Sequence, residues 1–227
     1  ISMNAGEATT ATGGSISMIT GYGRATSSGA FSVRTANGGQ NATSGSLSLT
    51  SGSSTEGSSG NITLRTGSAT KGTGGSVSVV VGSGKLTAGG RITMSAGEAT
   101  AVTGGAISII SGYGAAKSSG SFSIRTADAP SGGSGQISIT TGKVVDDASS
   151  GMITLRTGSA TKGTAGSVSI VVGSGKHTAG GRISMNAGEA TAVTGGSISM
   201  ITGYGRATSS GAFSVRTANA GQNGVSG

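Results

Sequence analysis

An apolar–Ser/Thr–apolar core returns fifteen times along the 227 residues, and this repetition constrains the fold more than any other feature. It opens as Ile1-Ser2-Met3, Ile16-Ser17-Met18, Phe31-Ser32-Val33, Leu47-Ser48-Leu49 and Ile62-Thr63-Leu64, and runs on to Phe213-Ser214-Val215. Successive cores start 15 residues apart, except for steps of 16 from Phe31 to Leu47 and from Ile137 to Ile153. Most units carry Gly two residues before the core and Gly or Ala five residues after its first position. Six units make a super-repeat of 91 residues, with near-copies opening at Ile1, Ile92 and Ile183. Residues 1–37 and 183–219 differ only at Thr10/Ala192 and Ala11/Val193. The extra residue falls in the third unit of the first copy and the fourth of the second, which places it in a turn, where insertions are tolerated. Residues 1–227 thus read as one continuous array of super-repeats 1–91, 92–182 and 183–227, the last partial, cut from a longer chain.

In a strand, alternate side chains take opposite faces, so Ile16 and Met18 share one face and Ser17 takes the other. Glycine at both ends suits corners that need positive φ. A short strand between such corners buries its apolar face only by stacking on copies of itself. The expected fold is therefore all-β: a β-solenoid (β-helix) of fifteen-residue strand units with Ile, Val, Met, Leu and Phe inward and the central Ser/Thr outward. The absence of a 3.6-residue period argues against helix, and Gly does not fall at every third position as collagen requires. The number of units per coil stays open. The residue after the core alternates, for example Arg34 and Arg65 against Thr50 and Val80, which favours two units and about 30 residues per coil. That coil would stack Arg34 over Arg65, a like-charge contact that favours one unit per coil.

Composition narrows the function. Gly supplies 47 residues, aromatics are 3%, and there is no Cys or Trp. Such a composition can signal disorder, but disorder does not require apolar residues at fixed spacing. A net charge of +8 favours anionic partners such as acidic polysaccharide, although the basic residues are spread out as on a solvated face. No apolar run approaches the about 20 residues of a membrane span, so membrane insertion is not expected.

No residue pattern points to catalysis or to a cofactor. The one histidine, His177, stands where the preceding super-repeat has Leu86, and one His without Cys cannot build a zinc site. Glu7, Glu98 and Glu189 lie six units apart, too far for paired-carboxylate chemistry. Asp128, Asp146 and Asp147 are too few for a calcium β-roll. Gly21-Tyr22-Gly23 and Gly82-Ser83-Gly84 lack the Lys-Ser/Thr and the helix of a phosphate loop. Tyr22, Tyr113 and Tyr204 recur once per 91 residues, too sparsely to stack nucleic-acid bases, and suit packing across a turn or between neighbouring fibrils. Asn41-Ala42-Thr43 and Asn61-Ile62-Thr63 are N-glycosylation sequons, making Asn41 and Asn61 the candidate modification sites.

Runs such as Thr66-Gly67-Ser68-Ala69-Thr70-Lys71-Gly72-Thr73-Gly74-Gly75-Ser76-Val77-Ser78-Val79 and Ser209-Ser210-Gly211-Ala212-Phe213-Ser214-Val215 resemble the long Gly/Ser/Thr-rich secreted repeat proteins of stramenopile algae and oomycetes. The resemblance covers the whole chain and implies an extracellular surface, wall or flagellar-hair component. It carries over no functional residues. The expected function is a non-enzymatic structural protein that associates with itself as a filament or matrix fibril. A second expectation is a repetitive binding solenoid, adhesin-like, polysaccharide-binding or ice-binding, that uses the Ser/Thr ladder.

Overall fold

The structure, a computed structural model, describes residues 1–177, 179–221 and 224–225; the last two residues of the partial third super-repeat lie outside the described residues. Among the described residues there is no helix and no strand. The backbone alternates extended segments with bends, which open at Thr9, Arg24, Gln40, Thr55, Thr70 and Lys85 and continue in steps of 15 or 16. Each bend follows the start of its core by eight residues, or by nine in the two units that carry the extra residue. The period of the sequence is thus the period of the backbone.

The expected all-β architecture is not formed. Among the described residues no ladder joins one core to the next, so the β-solenoid or β-helix, with one or two units per coil, is corrected to extended segments alternating with bends. Cα atoms within 8 Å of each other belong almost entirely to residues fewer than twelve apart in sequence. Ile16, Ile62 and Ile107, expected to face inward, are 52%, 62% and 56% exposed. The central Ser17, Thr63 and Ser108 are exposed as well, so the two faces of the core are not segregated. The accessible surface of 23077 Å² lies far nearer the about 31,000 Å² of an extended 21.2 kDa chain than the about 9,000 Å² of a folded one. The cause is composition. Two to five large apolar side chains per unit offset little of the about 1–2 kcal/mol that ordering each residue's backbone costs, and Gly costs most.

Among the described residues, what order exists is local and lies mostly at the necks of the bends. Eight glycine pairs close an eight-residue loop with one backbone hydrogen bond, the later amide donating to the earlier carbonyl. In Ile1–Ile109 these are Gly14 to Gly6 (2.8 Å), Gly29 to Gly21 (3.0 Å), Gly90 to Gly82 (3.2 Å) and Gly105 to Gly97 (2.9 Å). In Ile110–Gly227 they are Gly120 to Gly112 (2.9 Å), Gly181 to Gly173 (3.4 Å), Gly196 to Gly188 (2.8 Å) and Gly211 to Gly203 (2.9 Å). The closed necks are those of the sixth, first and second units of a super-repeat, so the bonding pattern also returns every 91 residues.

The donor position is Gly in all fourteen inter-core segments. A methyl group there would stand against the side chain nine or ten residues earlier in every case. On Gly14 it would lie 2.8 Å from the Gly6 nitrogen and 3.1 Å from Ala5 Cβ. Close approach therefore sets the donor glycine at Gly14, Gly90 and Gly181, where an added Cβ would come under 3.0 Å from a neighbour, whereas Gly60, Gly120 and Gly151 have ordinary contacts of 3.4 Å or more. Positive φ is rare: among the described residues it occurs at Gly132 (φ 92) and Asn41 (φ 59). The expectation that these glycines serve left-handed corners is corrected accordingly. The neck bonds run from 2.8 Å opposite Ala5 and Ala187, through 3.0 and 2.9 Å opposite Thr20 and Thr202, to 3.2 and 3.4 Å opposite Val81 and Val172. Partial burial is confined to such residues, among them Ala5, Thr66 and Thr202, and to the loop glycines Gly23, Gly114 and Gly205.

Candidate functional site

The two candidate acceptors occupy different backbone settings. Asn41 sits at the third position of a turn closed by the Ala42 amide donating to the Gly39 carbonyl at 3.2 Å. Its φ of 59° suits the left-handed region, which Asn tolerates better than other side-chain-bearing residues. The turn falls in the unit that carries the extra residue, and Thr35 Oγ1 there donates to the Gly45 carbonyl at 3.0 Å in place of a backbone neck bond. Asn61 lies in an extended segment between the neck glycine Gly60 and the core residue Ile62. Both are exposed.

The remaining candidates are not brought together. His177 is exposed beside Lys176 in a bend, and Glu7, Glu98 and Glu189 are exposed on separate loops. Among the described residues no three His, Cys, Asp or Glu side chains are grouped as a metal site would require. Tyr22, Tyr113 and Tyr204 are 88%, 90% and 88% exposed, so they do not pack across their turns as expected. Each follows the acceptor glycine of a closed neck and precedes a glycine packed on the carbonyl of Ser27, Ser118 or Ser209. The central hydroxyls form no ladder at strand spacing, because the cores do not stack. A concavity near the C-terminal end is lined by the consecutive residues Arg216, Thr217, Ala218 and Asn219, a set with one charge and no acid–base pair. Among the described residues no helix is long and apolar enough to cross a membrane.

Charge placement is the feature that sequence reasoning missed. Arg24, Lys71, Lys85, Lys117, Lys162, Lys176 and Arg206, seven of the fifteen basic residues, stand in the bends, at the tips of the loops. The signal was legible as basic residues eight to ten positions after a core start, but without the bend register it read as an even scatter. Glu56, Asp146 and Asp147 stand in two other bends, so half of the fourteen bends are cationic, enough to engage a polyanion at several weak points. The chain matches no protein-family model, no curated protein and no solved structure.

Proposed function

We infer that this chain is a non-enzymatic structural segment of an extracellular protein, acting by repeated weak contact with copies of itself in a filament or matrix and with acidic polysaccharide. One observation carries the reading: residues 1–37 return at 183–219 with two differences while their side chains stay largely exposed, so a similar surface is offered again and again. A catalytic protein needs groups converged at one place, and nothing about the repeat favours one place over another. The cationic tips supply the polyanion chemistry, and the sequons at Asn41 and Asn61 agree with passage through a secretory route.

The test is retention of the 227-residue chain on an immobilised acidic polysaccharide against a neutral one of equal length. Retention on the acidic matrix that falls with salt, together with concentration-dependent self-association in light scattering, is the expected result. Equal retention on both, with no association, would remove the reading.

A further inference from the structure

We propose that the necks make this chain extensible: each closed loop stores backbone length and releases it under load. The stored segment is the eight-residue span between acceptor and donor glycines. Extended, eight residues reach about 26–29 Å, whereas a neck held by one backbone hydrogen bond brings its ends to roughly the 5 Å of paired strands. Opening one neck therefore releases about 21–24 Å, and the eight closed necks together release about 170–190 Å.

Three features suit the necks to reversible release. Each is closed by one exposed hydrogen bond without a supporting ladder, so each opens independently of the others. The donor is always Gly, which allows the backbone to approach the facing side chain and lets the opened segment swing freely. The closures differ in length, from 2.8 Å at Gly14 and Gly196 to 3.4 Å at Gly181. Necks of graded strength open over a range of loads. This inference deepens the structural reading, on which it rests for its use in a filament, but its measurement does not depend on location or partner.

The chain has no cysteine, so paired labels can be placed without background. Nitroxides at Asn4→Cys and Ser15→Cys flank the Gly6–Gly14 neck, and dipolar electron paramagnetic resonance should show a distance population under about 21 Å, the lower bound of the span that closure removes. Gly14→Val should abolish that population, because its Cβ meets the Gly6 backbone. Stretching the full chain in optical tweezers should then give a shorter wild-type extension at low load, by about 21–24 Å per neck, than a variant with valine at all eight donor glycines, the two curves merging at high load. Superimposable curves, or a short distance absent from wild type or retained in Gly14→Val, would overturn the proposal. If the curves differ as expected but polysaccharide retention and self-association fail, the necks stand and the structural role falls.

Discussion

Gly90 and Val81 show how much a single contact decides in this chain. A side chain at position 90 has no room, since its Cβ would run into Val81 Cγ1, and even the glycine closes its neck at 3.2 Å. Val81→Ala should therefore tighten this neck toward the 2.8–2.9 Å seen opposite Ala5, Ala96 and Ala187, and the Gly90 amide should become less temperature-sensitive in NMR. A larger temperature coefficient in the variant would show that Val81 supports the neck and does not crowd it. Asn41 poses the complementary case, in which φ is the constraint. Asn41→Val should disfavour its turn by about 1–2 kcal/mol, the cost of left-handed backbone, and raise the three-bond amide–Hα coupling at position 41 as the residue becomes extended. Asn41→Gly should leave the Ala42–Gly39 turn in place.

At the scale of the element, much of the backbone was legible in the repeat, and its burial was not. The fifteen-residue period, the register of the bends and the turn placement of the extra residue after Phe31 all follow from Gly and apolar spacing. The alternation in Ile16-Ser17-Met18 implied a buried face, yet alternation states only which side chains would share a face if a partner surface existed. Whether one forms depends on the apolar area each unit brings, and units of two to five large apolar residues bring little. The neck glycines were visible at once, but their purpose was not, because close approach and positive φ leave the same letter in a sequence. The candidate site followed the same division: Asn41 and Asn61 are read directly, whereas the cationic tips needed the bends. Ile107 gives the sharpest consequence. Being 56% exposed, it should accept Ile107→Asp within about 0.5 kcal/mol, as surface positions do, with an unchanged circular dichroism spectrum. In a stacked apolar ladder the same substitution would bury an unpaired carboxylate and cost several kcal/mol.

At the scale of the whole molecule, the proposed function rests on repetition. Polyvalent binding degrades gradually, so His177→Ala and Glu98→Ala should each leave retention on acidic polysaccharide unchanged, while neutralising the seven cationic bend residues together should abolish it. Retention should also weaken steeply as ionic strength passes about 0.15 M, where the Debye length is about 8 Å. Loss of binding from either single substitution would point to a discrete site. The central claim, a chain ordered at its necks and unpaired between them, is tested most directly by residue-resolved amide hydrogen exchange. Amides of the cores, such as those of Ile62-Thr63-Leu64, should exchange at rates near those of an unstructured peptide, with slowing confined to donor glycines such as Gly14, Gly105 and Gly196 and to turn amides such as Ala42. Strong protection recurring through the cores every 15 or 30 residues would contradict it and restore a stacked ladder.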